Sequence, residues 1–272
     1  MRKNVVGRAA AAVVALGFLT SGCSDSEPAP ESTVLHFGLQ TDQPGLGYTD
    51  SQRHSGFEYD MATWLADHLG VQFAVVNVKP DQREEFIKSG AVDLMIGTYS
   101  KTDRRLDEVS FAAPYMLTQQ GVMVLSNDTS VNQFEDLADG RTVCAARGTT
   151  SIEQLKERGV NVREETGDGA CVNAMLSGGQ DVRAVSTDKL ILHGWANHDP
   201  HLKVVEPVAF GHQERYGIGL KKGDKALCEK ITAALKQYLI SGVWENHFRN
   251  NLGSDLSFQE HKPDPNRMDR CD

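Results

Sequence analysis

Three hydroxyl side chains and an arginine follow a short apolar run, LMI, and together they suit the binding of an anion. Thr98, Ser100 and Thr102 stand at alternate positions after this run. Thr102 is a good N-cap for a short helix behind it, and a helix N-terminus offers unpaired N–H groups and the positive end of a dipole. Arg105 adds a guanidinium that can bind a carboxylate through two hydrogen bonds. From the spacing alone, an ordinary capped helix with solvent-exposed arginines is an equal alternative.

Two further groups of candidates stand where predicted strands end and helices begin. Thr149 and Thr150 precede a helix predicted over residues 152–158. Asp188 follows a strand predicted over residues 182–185. Hydroxyl and N–H groups at the start of a helix can bind a carboxylate, and a carboxylate at the end of a strand can bind an ammonium group. For these residues the alternative is simple helix capping.

Arg83 occupies an unfavourable position for a cation. It falls in the first turn of a helix predicted over residues 80–88. There the helix dipole disfavours a positive charge by about 0.3–1 kcal/mol. The functional interpretation is that its guanidinium faces a carboxylate of a ligand, and the alternative is a solvent-exposed side chain. Arg147, two residues before Thr149, has the same two interpretations.

A pattern of alternating strands and helices positions these residues. The predicted strands cover residues 34–39, 71–78, 92–96, 119–125, 142–146, 160–162, 182–185, 204–210 and 215–220, and the predicted helices cover residues 60–69, 80–88, 152–158, 171–177, 226–240 and 243–250. Such alternation is typical of an α/β fold with a parallel sheet covered by helices. The pattern runs twice, over residues 34–117 and 118–214, before the chain returns. We therefore expect two lobes joined by two strands, with a ligand in the cleft at the strand ends.

The composition is that of an ordinary globular protein with an acidic balance. Hydrophobic residues make up 40% and charged residues 24% of the chain. The formal net charge is −9; without the three basic residues before position 9, 25 basic residues face 37 acidic ones, which gives −12. This balance argues against nucleic acid or an anionic lipid surface as a partner. An anionic ligand would need a local basic pocket.

The N-terminal segment predicts export and lipid attachment. An apolar run over residues 9–19 follows three basic residues and is too short to span a bilayer. It ends in LTSGC, which resembles a lipobox with Cys23 as the lipid-modified residue. Because Thr20 stands where a lipobox usually has leucine, ordinary secretion is the alternative. Residues 1–22 are thus predicted to be a lipoprotein signal peptide and residues 23–33 a polar, proline-containing tether.

Four cysteines remain after Cys23, and an even number in an exported chain suggests two disulfides. Of the three pairings that four cysteines allow, we favour the two local ones. These are Cys144 with Cys171 in one predicted lobe, and Cys228 with Cys271, which would attach the C-terminal tail to a helix. A metal site is the alternative, but no CxxC or close Cys/His spacing supports it.

Five motifs, taken together and in order, resemble one protein family. The family comprises the periplasmic or extracellular solute-binding proteins of polar amino acid ABC importers (family 3), and the chain is most similar to the type that binds glutamate or aspartate. The resemblance covers residues 34–252. Its motifs are GFEYDMA, TYSKTDRR followed by FAAPY, RGTTS, STD and YGIGLKKGD.

The resemblance implies the type II periplasmic-binding-protein fold, with two lobes, a two-strand hinge and a cleft between the lobes. Lobe 1 would comprise residues 34–117 and 215–253, and lobe 2 residues 118–214. Residues 254–272 would form a loop-like C-terminal tail.

The resemblance also implies how the α-groups of an amino acid are held. In the family, the position of Arg105, with the region of Ser100 and Thr102, holds the α-carboxylate. The position of Asp188 holds the α-ammonium group, with help from the Thr98 carbonyl and the Ser100 hydroxyl.

The side chain of the ligand would be read by other positions. Family members that bind aspartate or glutamate have an arginine where Arg83 stands, which implies a contact with the distal carboxylate. Arg147 is a second candidate for that contact, and Thr149 and Thr150 could donate to either carboxylate. Tyr48 loosely matches the aromatic residue that covers the ligand in many members.

The implied function is capture of glutamate or aspartate by a lipid-anchored, extracytoplasmic monomer for an ABC permease and its ATPase. A glutamine- or asparagine-binding protein and an amino acid sensor of the same fold are the alternatives. An enzyme on this scaffold is disfavoured, because the chain has no GxSxG motif and no convincing acid–base pair. We expect no cofactor and no metal, since His193, His198 and His201 are predicted to lie in a polar loop.

Overall fold

The computed structural model describes residues 34–51, 53–138, 140–178 and 182–271. The predicted signal peptide (1–22), the lipidation candidate Cys23 and the tether (23–33) lie outside the described residues.

Most strands form one nine-stranded mixed sheet. The strands are β1 (Val34–Leu39), β2 (Asp42–Gln43), β3 (Gly47–Asp50), β4 (Arg53–Ser55), β5 (Gln72–Asn77), β6 (Leu94–Met95), β7 (Val109–Leu125), β8 (Thr142–Ala146), β9 (Asn161–Glu165), β10 (Val182–Asp188), β11 (Leu202–Val204) and β12 (Phe210–Lys221). The sheet order is β5-β1-β6-β12-β7-β10-β8-β9, with β11 beside β7, while β2, β3 and β4 form a separate small sheet. We call β5, β1 and β6 the first half of the large sheet, and β10, β8 and β9 the second half.

Helices flank both halves of the sheet. They are α1 (Phe57–Leu69), α2 (Arg83–Ser89), α3 (Asp103–Leu106), α4 (Thr150–Glu157), α5 (Asp168–Leu176), α6 (Lys189–His198), α7 (Lys225–Ile240), α8 (Val243–Leu252) and α9 (Phe258–His261). No helix among the described residues is long and apolar enough to cross a membrane.

The first half of the sheet packs against helices from both ends of the chain. In α1, Phe57, Met61 and Leu65 recur at a spacing of four residues and are fully buried, as expected for one face of a helix. They join a core that includes Trp244 and Phe248 of α8. The N-terminal and C-terminal segments therefore share one core.

The second half of the sheet has cores of its own. One apolar cluster is drawn entirely from residues between Val122 and Phe210. On the other side of the sheet a second cluster contains the Cys144–Cys171 disulfide, with both cysteines fully buried. This disulfide and the Cys228–Cys271 bond confirm the predicted local pairing.

Two long antiparallel strands connect the halves. β7 and β12 pair from Phe210 opposite Gln120 to Lys221 opposite Val109, with a register shift on each side of the central pairs. β12 also contacts β6 of the first half, and β7 contacts β10 of the second half. This is the predicted two-lobed α/β architecture with a two-strand connection.

Several predicted elements were wrong in extent or type. The sheet is mixed rather than parallel, because β7 and β12 run antiparallel to their neighbours. β7 begins at Val109, ten residues before the predicted strand at 119, since its first eight residues are buried on both faces and show no alternation of apolar and polar types. The strand predicted over 204–210 is replaced by the shorter β11, Leu202–Val204, and a turn.

Helix boundaries differ in two places that bear on function. α5 begins at Asp168, three residues before the predicted start, after the glycine Gly167. His193 and His198 lie on α6 and not in a polar loop. The tail also contains a short helix, α9, where a loop was predicted.

The C-terminal tail is fastened across the connecting strands. Asp269 accepts hydrogen bonds from Lys101 (2.9 Å) and Arg215 (2.6 Å), and its N–H donates to the carbonyl of Ala113 (2.9 Å). Two residues later, Cys271 is bonded to Cys228 on α7. We call residues 254–271 the C-terminal strap.

Candidate functional site

A polar cavity lies between the two halves of the sheet, where strand ends and helix starts meet. Its side chains leave a free volume of only about 10 Å³, roughly the room that one water molecule needs. Seven of the ten predicted ligand-binding residues line it, namely Thr98, Ser100, Arg105, Arg83, Thr149, Thr150 and Asp188. Gln40, Gln43, Ser151, Asp168, Thr187 and Ile191 complete the lining.

Arg105 is fully buried on the short helix α3 and spans the two halves. One terminal nitrogen donates to the Ser100 carbonyl (2.7 Å), and the other donates to the Gly148 carbonyl of the second half (2.8 Å). Its guanidinium lies over the ring of Tyr99, 4.8 Å from the centroid. Thr102 caps α3 as predicted, because its hydroxyl accepts from the Arg105 N–H (3.3 Å). Thr102 therefore orients the helix and does not line the cavity.

Arg83 is a second buried cation in the same cavity. A terminal nitrogen donates to the Gly97 carbonyl (2.5 Å) and to Gln40 Oε1 (2.8 Å). Its guanidinium lies 5.1 Å from the centroid of Tyr99. The Nε of Arg83 is buried and has no hydrogen-bond partner among the described residues. The alternative of a solvent-exposed side chain is thereby excluded, since only 2% of Arg83 is exposed.

Asp188 lies at the end of β10 and belongs to a buried polar network. Its oxygens accept from Gln120 Nε2 (2.7 Å) and from the Tyr216 hydroxyl (2.5 Å). It occupies the N-cap position of α6, but its side chain makes no capping hydrogen bond. Burial and then the nearby Glu214 raise the pKa of Asp188 well above its usual range. A cationic group placed beside it would offset both effects.

Asp168 is a second buried carboxylate of the cavity and was missed by sequence reasoning. It stands at the first position of α5, and Oδ2 accepts from Gln43 Nε2 (2.7 Å) and Gln40 Nε2 (3.0 Å). These glutamines lie 125 and 128 residues away in the chain. The GDG sequence after β9 is a helix-start signal, but nothing local to it indicates the partners.

Thr98 is held in an unusual backbone conformation at the cavity wall. Its φ is +44°, in the left-handed region that non-glycine residues rarely adopt. Its N–H donates to Glu58 Oε1 (2.6 Å), which also accepts from the Tyr115 hydroxyl. Glu58 is fully buried on α1, and burial raises the pKa of its carboxyl above the usual value. Glu58 therefore supports Thr98 from behind.

Thr149 and Thr150 begin α4 on the opposite wall. The Thr149 hydroxyl donates to the Ala146 carbonyl (2.6 Å) and makes no side-chain cap, and the Thr150 hydroxyl accepts from Gln120 Nε2 (3.1 Å). Ser151 donates to Gln120 Oε1 (2.6 Å). The N-terminus of α4, with its free N–H groups, thus faces the cavity.

Two predicted residues lie away from the cavity. Arg147 is half-exposed and lies 3.7 Å from Asp81 and 3.5 Å from Glu164. The Tyr48 hydroxyl is 3.4 Å from His198 Nε2 at the rim of the two halves. Neither residue lines the cavity.

The described part of the chain has no group of three or more His, Cys, Asp or Glu side chains that could hold a metal ion. His193 and His201 instead pair with Glu206 (3.4 Å) and Asp199 (2.8 Å), respectively.

The two halves meet around the cavity through several direct contacts. Besides Arg105 and Gly148, Arg104 lies 3.3 Å from Glu153, and Gly148 packs closely against Asp81. Arg104 and Glu153 are exposed, so their ion pair contributes little by itself. The buried hydrogen bonds of Arg105 and of Asp168 across the cleft can form only when the two halves are close together.

The sequence is similar to one known protein family and to proteins that bind amino acids. The sequence matches the family described as bacterial extracellular solute-binding proteins, family 3, over residues 35–254. A glutamate-binding protein of Corynebacterium efficiens is 33% identical over 267 residues, covering 91% of this chain and 90% of that protein. A glutamine-binding protein of Geobacillus stearothermophilus is 31% identical over 195 residues, covering 69% of this chain and 72% of that protein.

Solved structures give the same fold. An ancestral arginine-binding protein bound to glutamine matches with a TM-score of 0.74 and 28% identity, covering 81% of this chain and 98% of that structure. The predicted two-lobe fold of the type II periplasmic amino-acid-binding proteins is confirmed.

Proposed function

This chain belongs to family 3 of the bacterial extracellular solute-binding proteins, and from this premise we propose that it captures glutamate, with aspartate as the alternative acid. It is an amino-acid-binding protein of an ABC importer and not an enzyme. We choose an acidic ligand because two buried guanidinium groups, those of Arg83 and Arg105, line one cavity. A dicarboxylic amino acid supplies one carboxylate for each.

Each group of the ligand has a proposed partner. Arg105, with Ser100, takes the α-carboxylate, and Asp188 takes the α-ammonium group. Arg83 takes the distal carboxylate; its Nε has no hydrogen-bond partner among the described residues, and its own hydrogen bonds come from one terminal nitrogen. Thr150 and the N–H groups at the start of α4 add donors from the second lobe.

Lobe closure couples binding to recognition by the importer. We place lobe 1 at residues 34–117 with 215–253 and lobe 2 at residues 118–214, so that the β7 and β12 crossings form the hinge. Arg105 reaches across this boundary to Gly148, which supports a closed form that a ligand on Arg105 would stabilise. The partner of the closed monomer is an ABC permease with its ATPase.

The protein is proposed to be held at the membrane by a lipid on Cys23, after removal of residues 1–22. The support is the LTSGC sequence after a short apolar run. Mass spectrometry of the N-terminal peptide from membranes tests this proposal. A diacylated Cys23 is expected, and release of a Cys23→Ser variant from the membrane fraction is the second readout; an unmodified N-terminus in the wild type contradicts it.

Glutamine is the second candidate ligand. Asp168 supplies an acceptor near Arg83, which an amide could use, and a relative of similar identity is a glutamine-binding protein. A sensor that presents the closed form to another chain would use the same site and the same ligand.

Isothermal titration of the chain from Ser24, refolded to strip bound ligand, tests the choice. Glutamate, aspartate, glutamine, asparagine and arginine are compared at pH 6. We expect the two acids to bind more tightly than their amides. Tight binding of arginine alone, or of amides alone, contradicts the proposal.

Two substitutions assign the roles. Arg105→Ala should abolish binding of every amino acid, and Arg83→Ala should weaken glutamate much more than glutamine. Arg104→Ala and Arg147→Ala, which remove exposed arginines, are the matched controls and should leave affinity within about three-fold. Equal losses for glutamate and glutamine in Arg83→Ala remove Arg83 from the distal site.

A further inference from the structure

One oxygen of Asp168 is left without a partner inside the ligand cavity. Oδ2 accepts from Gln40 and Gln43, whereas Oδ1 is buried and makes no hydrogen bond of good geometry within the described ranges; the Thr187 hydroxyl is near enough to lower the pKa of this carboxyl. Only 1% of Asp168 is exposed. An unsatisfied buried acceptor costs about 1–3 kcal/mol, and it marks a place where a ligand donor fits.

An unpaired donor belongs to the same corner of the cavity. The Gln40 side chain accepts from Arg83 (2.8 Å) and donates to Asp168 (3.0 Å), so one amide group connects the two residues. Arg83 keeps its own Nε unpaired among the residues that the structure describes. Arg83 and Asp168 both line the cavity and both keep unpaired polar atoms, so together they can supply a donor and an acceptor to the distal end of a ligand.

This donor–acceptor pair discriminates among distal groups. A primary amide matches it directly, because its carbonyl accepts from Arg83 and its N–H donates to Asp168. An ionised carboxylate matches only Arg83, since it has no hydrogen to donate. A carboxylate matches both when one proton lies between it and Asp168, because two close carboxylates in a buried site do not both ionise.

The charges around Asp168 determine whether such a proton is needed. Asp42 of β2 disfavours a negative charge on Asp168 and Arg83 of α2 favours it, while the pKa of Asp188 on β10 is itself raised by burial, by Glu214 and by Asp168. Lys79 lies 3.7 Å from Asp42 Oδ2 and compensates that carboxylate. When an acidic ligand binds, its distal carboxylate and the carboxylate of Asp168 lie beside a single cation, Arg83.

We propose that Asp168 makes the pocket accept glutamate only together with one proton, so that the preference between glutamate and glutamine depends on pH. This inference rests on the proposed function and names the residue that sets its specificity. The proton comes from solvent, lies between Asp168 Oδ1 and a distal carboxylate oxygen, and leaves with the ligand. Glutamine binds without it.

The protonation behaviour of Asp168 is consistent with this role. Burial and the neighbouring Asp42 raise the pKa of Asp168 to about 6. At neutral pH the ligand-free carboxyl is therefore mostly ionised, and binding of glutamate draws a proton into the site.

Proton uptake is measured by titrating the wild-type chain with glutamate and with glutamine in two buffers of different ionisation enthalpy. At pH 7.5 we expect about one proton taken up per glutamate and none per glutamine. Between pH 6.5 and 8.5 the Kd for glutamate should rise about ten-fold per pH unit, while that for glutamine stays constant.

The variant Asp168→Asn tests the residue itself, because its amide donates an N–H where the proton would lie. We expect glutamate affinity at pH 8 to rise about ten-fold or more, its proton uptake to disappear, and glutamine affinity to fall about ten-fold. Asp42→Asn is the control, since it removes a neighbouring charge but no group that lines the cavity. It should keep the proton uptake of the wild type.

The outcomes separate this inference from the proposed function. Glutamate binding with no proton uptake at pH 7.5 overturns the inference and leaves the proposed function standing. Failure of glutamate and aspartate to bind at any pH from 5.5 to 8.5 overturns both. Equal losses for glutamate and glutamine in Asp168→Asn, with an unchanged circular dichroism spectrum, also overturn the role of Asp168.

Discussion

At the scale of single residues, the cavity wall includes Thr98, whose backbone conformation needs support from its neighbours. Thr98 has a positive φ, which costs a non-glycine residue of order 1–3 kcal/mol. The short contact from its N–H to Glu58 holds it there, and Tyr115 donates to the same oxygen. Glu58 is thus a positioning residue that never meets the ligand cavity directly.

Replacing Glu58 tests this support. Glu58→Ala leaves the Thr98 N–H and the Tyr115 hydroxyl buried without an acceptor, so we expect the free energy of unfolding to fall by about 2–5 kcal/mol and ligand affinity to drop. Glu58→Gln keeps an acceptor oxygen and should lose less than half as much. Urea denaturation and calorimetry measure both effects. Unchanged stability of Glu58→Ala would contradict the role.

Asp168 also has a consequence for the ligand-free protein. Its pKa of about 6 in the folded state exceeds its ordinary value of 3.8, so the folded state binds this proton more tightly than the unfolded chain does. The contribution of Asp168 to stability is therefore greatest below its ordinary pKa and is lost as pH rises through 6.

Asp168→Asn removes that dependence. Without ligand at pH 8, we expect this variant to be more stable than the wild type by up to about 3 kcal/mol, with the difference vanishing near pH 4. Urea midpoints of both proteins across this range measure it. A constant difference between pH 4 and pH 8 would show that Asp168 does not titrate in this way.

At the scale of elements, the start of α4 is brought close to lobe 1 by a glycine. Gly148 has a φ of +81°, and a Cβ at this position would lie 2.6 Å from the Asp81 Cα. Its carbonyl accepts from Arg105, so this loop must come close for the cavity to close.

Gly148→Ala should therefore hinder closure. We expect ligand affinity to fall at least about ten-fold, since the methyl group meets backbone across the cleft. Gly159→Ala is the matched control, because it has a similar φ of +72° but no atom within 4 Å of the place that its new methyl group would occupy. Both variants should lose about 1 kcal/mol of stability, and only Gly148→Ala should lose affinity in calorimetry. Similar affinity losses in both would exclude the contact with Asp81.

The sequence predicted most helices and strands correctly from local signals, but it predicted only some of the residues that line the cavity. Thr102 was identified as a cap and most strands were identified from their apolar runs, because both signals act within a few residues. Gln40, Gln43 and Asp168 were not identified. Their interaction exists only because the topology brings together segments more than a hundred residues apart, and no local pattern encodes that.

At the scale of the whole molecule, the C-terminal strap connects both crossings of the hinge. Asp269 contacts Arg215 on β12 and, through its N–H, Ala113 on β7. The Cys228–Cys271 disulfide, with a sequence separation of 43 residues, closes a loop that includes Asp269. The strap thus fastens the last residues to the strands that join the lobes.

Removal of this disulfide should be costly. For the Cys228→Ser/Cys271→Ser variant we expect a loss of about 2–4 kcal/mol in the free energy of unfolding, chiefly through the greater freedom of the unfolded chain. Asp269→Asn, with the disulfide intact, should lose less than about 2 kcal/mol. Denaturation curves measure both. A double-serine variant as stable as the wild type would show that the strap is held by its other contacts.

The sheet order has a consequence for the order in which the two halves can fold. β12 lies beside β6, and the core of the first half includes Phe37, Leu94 and Phe248. That core cannot be completed until nearly the whole chain is available to fold. The core between Val122 and Phe210, in contrast, is contiguous in the chain. A folding chain can therefore assemble its middle before its beginning, while the N-terminal apolar face stays exposed until the last helices pack against it.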